Sequence, residues 1–242
     1  MKFLRKQRYE LMEKRNTGKY YKYAFSEIVL VVIGILIALS INNWNEARKN
    51  KLLENDILKE IRYALKGDLD DAEHNLNAHR KKLISQNIII DWFENDQSFA
   101  DSLSIHFEKI QFGTYFSYYE GPYKTLNQQG MRIIKNDSLR NQIFKLYDQK
   151  YEFYNLMNRQ YSQILSKCKD LNPIYFNESS MNENKMKPIN AHELKLDNRY
   201  LYTLKTSRNF NTFLITNLIP SIILDIKETN KMVNRELMPV NQ

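Results

Sequence analysis

Ser26–Glu46 reads SEIVLVVIGILIALSINNWNE, and this stretch decides how the rest of the chain is understood. Ile28 to Leu39 is apolar without interruption, and Ser40 and Ile41 extend the run to fourteen residues. As helix, fourteen residues give roughly 21 Å, short of the ~30 Å hydrocarbon core of a bilayer. Counting from Ala24 to Trp44 gives about 31 Å, which spans it. Glu27 lies near the start, and helical side chains lean toward the N-terminus, so its carboxylate can reach the nearer headgroups. Tyr20, Tyr21 and Tyr23 flank one end and Trp44 the other, as an aromatic belt requires.

Charge sets a direction. Residues 1–27 carry eight Lys/Arg against three Glu, a net of +5, which leaves only +3 of the total +8 for the other 215 residues. The basic excess adjoins the apolar stretch, and after it come only Arg48, Lys49 and Lys51 among acids. The positive-inside rule places the N-terminus in the cytoplasm and the long C-terminal part outside. The residues leave two rivals open. A cleaved secretion signal would share the basic start, the short apolar run and the small residues Ala38 and Ser40, although Glu10 and Glu13 and the length of the basic region oppose it. A buried core helix is the other.

The segment EIVLVVIGILIALSINNWNEARK resembles the opening of an uncharacterised family of gram-negative bacterial membrane proteins, a domain of unknown function. Members start with a basic stretch, then this anchor, then a helical region. The resemblance is specific over about residues 20–50 and weaker at PYKTLNQQGMRIIKNDSLRNQIFKLYD, residues 122–148. Gly is usual in the family where Ser26 stands and Gln where Ser40 stands. The resemblance implies a single-pass membrane protein and supplies no activity.

Composition fits long helices. Six Gly and five Pro in 242 residues argue against a many-turned all-β chain. A mean hydropathy of −0.59 excludes a polytopic membrane protein. One cysteine excludes an intramolecular disulfide and a Cys-based zinc site. Residues 2–15 read as a short amphipathic helix on the anionic inner leaflet, or as a solvated basic tail. Leu53, Ile57, Ile61, Leu65, Leu69, Ala72 and Leu76 recur every three or four residues, giving a helix from about 45 to the low 90s. Gly67 is a place for it to bend, and Asp91–Ser98 ends it.

Residues 99–121 read as loop, and 123–129 as a short helix stopped by Gly130. Asn136 or Asp137 caps a helix over 138–168 with a stripe of Leu139, Ile143, Leu146, Phe153, Met157, Tyr161, Ile164 and Cys168. Residues 169–197 read as a long polar loop. Asp197 caps a last helix over 198–236, which Pro220 is expected to kink and which reads as too polar for a second span. The fold expected is therefore all-α: a basic cytoplasmic segment (1–22), a single transmembrane helix (23–44) and a periplasmic antiparallel helical bundle (45–242).

Chemistry is sparse. Of the four histidines, His74 and His79 are five apart and do not share a helix face. Asp70 and His74 are four apart, a spacing met more often on a solvated face than at a metal. No zinc-protease motif, phosphate loop or nucleophile elbow appears, so no catalytic residue, metal or cofactor is assigned. Seven aromatics fall between Phe107 and Tyr123: Phe107, Phe112, Tyr115, Phe116, Tyr118, Tyr119 and Tyr123. They either plug the end of the core or, through Tyr115, Phe116, Tyr118 and Tyr119, form a recognition surface. Cys168 lies on the apolar stripe as a small buried residue, with an intermolecular disulfide as the lesser option.

Within the anchor, Glu27, Gly34 and Ala38 line one side, and Gly34-x-x-x-Ala38 permits close approach of a second helix. The partners expected are the bilayer and a protein or a second copy. The function expected is a membrane-anchored binding, scaffold or signal-relay module of the inner membrane. The alternative is a cell-envelope enzyme with a site assembled from scattered polar residues. A nucleic-acid binder is opposed by the near-neutral body.

Overall fold

A computed structural model describes residues 17–111, 113–179 and 185–238, with side chains from Tyr21 onward. The amphipathic segment expected at 2–15, and Phe112, lie outside the described residues. All regular structure among the described residues is helical, apart from isolated bridge residues, among them Phe176 paired with Pro188.

The first helix, α1, runs Thr17–Glu94. No proline precedes Pro122, so nothing in this range removes a backbone donor or clashes with the preceding turn. Gly67 does not interrupt it. Contacts divide the chain between Glu54 and Asn55 into two compact units. In the first unit, every residue from 28 to 50 is exposed, including Leu30, Leu36 and Ile41 at 57–63%.

In the second unit, hereafter the body, α1 buries Ile57, Ile61, Leu65, Ala72 and Leu76 as the periodicity predicts, while Leu69 is only half-buried. Polar side chains continue the same buried face: Asp68, Asn75, His79, Lys82 and Gln86. The end of α1 is tied off by Asp91, whose carboxylate accepts from Asn95 Nδ2 at 2.7 Å and Gln97 Nε2 at 3.1 Å. Lys195 donates to the backbone carbonyls of Asn95 and Gln97 at 2.6 and 3.0 Å, a cation where the helix exposes its carbonyls.

The 99–121 region is not all loop. It holds α2 (Leu103–Lys109), which buries Leu103 and Phe107. Helix α3 (Gly121–Gln129) ends at Gly130, whose φ of 98° suits only glycine, and a 3-10 turn (Met131–Ile133) follows. Asn136 Oδ1 accepts from Leu139 N at 3.1 Å and caps α4 (Asp137–Phe144).

A π-helical turn (Lys145–Tyr151) joins α4 to α5 (Glu152–Lys169). This turn corrects the expected stripe. A π turn carries an extra residue, so positions after it move round relative to a plain α-helical stripe. Leu139, Ile143 and Leu146 are buried as expected, and so are Tyr161 and Cys168, but Tyr154, Asn158 and Leu165 occupy the core where Phe153, Met157 and Ile164 were expected.

The expected loop at 169–197 contains α6 (Asn172–Tyr175) and α7 (Ala191–Leu196), the latter capped by Asn190. Its Tyr175, Phe176, Met186 and Leu194 join Trp92, Phe93, Phe107 and Tyr200 in one apolar cluster. Composition hid this because few apolar residues are spread through a polar segment.

Asp197 caps α8 (Asn198–Phe213) by accepting from Arg199 N at 2.7 Å. A second π turn (Leu214–Leu218) leads into α9 (Ile219–Leu237). It lies just before Pro220, where the ring would otherwise crowd a preceding carbonyl, and the helical path continues through the proline. α9 buries Ile222, Ile226 and Val233, and α8 buries Leu204, all as predicted. By length and composition, the helical stretch Asn198–Leu237 is apolar enough to cross a membrane, contrary to the sequence reading, but much of its apolar surface is buried in the body.

Candidate functional site

The anchor residues singled out by sequence are on the surface of the first unit. Trp44 is 66% exposed, and Gly34 and Ala38 are exposed. A Cβ added to Gly34 meets nothing within 4 Å. Glu27 is half-buried.

The aromatic segment splits. Residues 113–120 form no regular element and lie along α1, held by a polar row on one helical face. Asp68 accepts from Tyr119 N at 2.8 Å, Asp71 accepts from Ser117 N at 3.0 Å, and Asn75 donates to the Tyr115 carbonyl at 3.2 Å. Phe116 is buried, stacked on Tyr154 and edge-on to Tyr151. Tyr118 is half-buried beside Tyr151 and donates to Glu152 at 3.1 Å. Tyr115 and Tyr119 are 67% and 59% exposed. Of the four residues expected to form one recognition surface, two are therefore outward and Phe116 is core.

Asp68 also accepts from the Tyr151 hydroxyl at 2.9 Å. Burial raises its carboxyl to about 6 against the stabilising pull of those two donors. Tyr118 and Tyr123 are each pushed up to about 12, first by burial, then by neighbouring carboxylates.

A different place in the body gathers cations. A cavity of about 380 Å³ lies between α1, α2 and Gly113–Thr114 at the start of the aromatic segment. His79, Lys81, Lys82 and Ser85 from α1 line it, with His106 and Lys109 from α2, and Ala78 and Ile84 supply apolar wall. Among the described residues no carboxylate lines it. Lys82 is 7% exposed and its Nζ has no hydrogen-bond partner among the described residues. Its nearest compensation is the face of Tyr161, 5.3 Å from ammonium to ring centre. Burial, then the nearby charge of Lys169, lowers Lys82 to about 7.

His79 is fixed by a buried network. Asn211 Nδ2 donates to the His79 carbonyl at 3.1 Å and to Gln86 Oε1 at 2.9 Å, while Gln86 Nε2 donates to Ser207. Asn211 Oδ1 is thereby the acceptor for His79 Nδ1 at 2.6 Å. The imidazole is left with a bare Nε2, which has no partner among the described residues. Burial lowers His79 to about 4, so the ring is neutral at pH 7. His106 Nδ1 lies 3.1 Å from Ser85 Oγ, and burial lowers its affinity for a proton as well.

Residues 27–201 match the family described as Family of unknown function (DUF6090). The chain belongs to this family. The match contains both stretches on which the sequence resemblance rested, the cavity lining and the aromatic segment. No curated protein and no solved structure matches the chain.

Sequence reasoning missed the cavity because its residues come from two segments. One signal was present: His79-x-x-Lys82 and His106-x-x-Lys109 repeat the same pairing on α1 and α2. The row Asp68, Asp71 and Asn75 was also missed, although its spacing puts all three on one face. Asp70 and His74 are exposed, and among the described residues no three His, Cys, Asp or Glu side chains converge as metal ligands. Cys168 is buried, 3.3 Å from Thr203 Oγ1.

Proposed function

We propose that this member of DUF6090 is a single-pass protein of the inner membrane. Its N-terminus is cytoplasmic, and its helical body stands in the periplasm as a binding, scaffold or signal-relay module. The observation that carries this reading is the apolar run from Ile28 to Ile41, in which every side chain is exposed. Such a surface in water would cost about 25 cal/mol for each Å² left unburied. A bilayer removes that cost, and Tyr21, Tyr23 and Trp44 stand where the interfaces would fall. The uneven basic charge supplies the orientation. The cationic cavity and the outward tyrosines of the body support a binding role over a purely structural one.

The test is protease accessibility of a C-terminal tag in intact cells and in spheroplasts, with size read on the same gel. A full-length membrane-bound product digested only in spheroplasts is expected. A product shortened by about forty residues, as signal cleavage would give, refutes the anchor.

A further inference from the structure

We infer that the cavity between α1 and α2 is a binding site for a phosphate group carried on a small organic molecule, with Lys82 as its buried cation. The inference rests on the binding role proposed above and names its ligand class. It does not depend on which side of the membrane the body occupies.

The first argument is charge balance. Lysines are almost never buried without a partner, because desolvating an ammonium is expensive unless an anion or hydrogen bonds compensate it. Among the described residues, Lys82 has only the ring of Tyr161 against it and no hydrogen-bond partner. An anion entering the cavity at which Lys82 stands would hold its ammonium charged and supply the missing hydrogen bond.

The second argument is the make-up of the lining. Lys81, Lys82 and Lys109 bring three amino groups and His79 and His106 two imidazoles, with no carboxylate among them. That concentration suits an anion of more than one charge, as a phosphate monoester is, better than a single carboxylate. The hydroxyl of a monoprotonated phosphate would find an acceptor in the bare His79 Nε2, and Ser85 offers a further hydroxyl. The third argument is size and polarity. About 380 Å³, with Ala78 and Ile84 on the wall, holds an organic body as well as the anion.

A phosphate could arrive as a soluble ester or as a lipid headgroup, and the experiment separates these. Full-length protein in detergent micelles is titrated calorimetrically with phenyl phosphate, benzoate and inorganic phosphate. Dihexanoyl phosphatidic acid is added as a competitor. Saturable one-site binding of phenyl phosphate is expected, with benzoate at least tenfold weaker. Inorganic phosphate is expected to compete more weakly than the aryl ester. Lys82→Met and Lys109→Gln are each expected to weaken phenyl phosphate about tenfold or more, the loss of one charge-assisted hydrogen bond. Lys109 is exposed, so its variant reports on the site even if Lys82→Met misfolds.

Binding is also expected to fall as pH rises through 7, as Lys82 loses its proton. The titratable groups around it are His79, Lys81, His106, Lys109, Tyr161, Lys169 and Cys168, none of which becomes more cationic on that side. Competition by phosphatidic acid assigns the phosphate to a lipid, and its failure assigns it to a soluble ester. Both results uphold the site. Absence of saturable heat, equal binding of benzoate, or binding unchanged in both variants overturns it. A failed topology would appear on the protease gel instead, with the calorimetry unaffected.

Discussion

The hydroxyl of Tyr151 donates to the carboxylate of Asp68 at 2.9 Å across 83 positions of sequence, and Tyr119 N donates to the same carboxylate at 2.8 Å. One buried acid thus fastens to α1 both the first π turn, which ends at Tyr151, and the aromatic segment 113–120. Replacing Asp68 by Ala leaves both donors unpaired and is expected to cost about 2–4 kcal/mol. Asp68→Asn keeps one acceptor oxygen for Tyr119 N, and its amide NH2 can donate to the Tyr151 hydroxyl oxygen, so it is expected to cost less than the Ala variant, about 1 kcal/mol at pH 7. Urea unfolding of the full chain in detergent measures both, and equal losses in the two variants would contradict the role given to the acceptor.

Asp68 and His79 make opposite contributions to the pH dependence. The carboxyl of Asp68 is raised to about 6, so its contribution is full below its ordinary 3.8 and is lost as pH rises through about 6. The ring of His79 is lowered to about 4, so its contribution is full above 6.5 and is lost as pH falls through about 4. Between pH 4 and 6 the two slopes offset each other. Asp68→Asn removes one of them. Its stability is expected to fall as pH drops from 6.5 toward 4, by up to about 1.4 kcal/mol per unit, while the wild type changes less. Parallel curves for the two proteins would refute the assignment.

Gly67 admits the ring of Tyr119 against α1: a Cβ there would stand 2.6 Å from Tyr119 Cε2. Alanine in a helix is favoured over glycine by about 1 kcal/mol. Gly67→Ala is expected to gain nothing in the wild type, because the ring must move. It is expected to stabilise the Tyr119→Ser background by about 0.5–1 kcal/mol, the helix propensity freed of that clash. The double-mutant cycle gives the coupling directly.

A Cβ added at Gly34 meets nothing within 4 Å among the described residues. A loss of association in Gly34→Ile therefore reports a contact with another helix. We expect Gly34→Ile or Glu27→Leu to lower crosslinked dimer or partner yield about fivefold, about 1 kcal/mol of helix packing. Unchanged crosslinking in both variants removes the Glu27, Gly34 and Ala38 face as an interface.

Cys168 is 5% exposed, and burial pushes its thiol up. Maleimide labelling of the folded chain is expected to be about a hundredfold slower than in urea, since the thiolate is scarce and access needs opening. Rapid native labelling, or a disulfide dimer on a non-reducing gel, would show that the cysteine is reachable after all.

Much of the local structure was legible because its causes are local. The caps at Asn136 and Asp197 satisfy backbone donors two or three residues away, and Gly130 takes a φ that side chains resist. The apolar run from Ile28 was visible as composition alone. The pairing His79-x-x-Lys82 with His106-x-x-Lys109 was visible too, but without meaning until two helices met.

By itself, then, the sequence determined the all-helical character, the exposed apolar run, the main helix starts and most of each buried stripe, including Ile222, Ile226 and Val233 beyond the second π turn. Tertiary structure decided the rest. It chose Tyr154 over Phe153, because a π turn costs hydrogen-bond geometry that only packing offsets. It paired Asp68 with Tyr119 and Tyr151, and His79 with Asn211, across separations of 51, 83 and 132 residues. It also left Lys82 buried with no carboxylate among the described residues of its cavity, which follows from where α1 and α2 converge. Hydropathy and capping act within a few residues, whereas the burial of a polar group is set by whatever the fold brings against it.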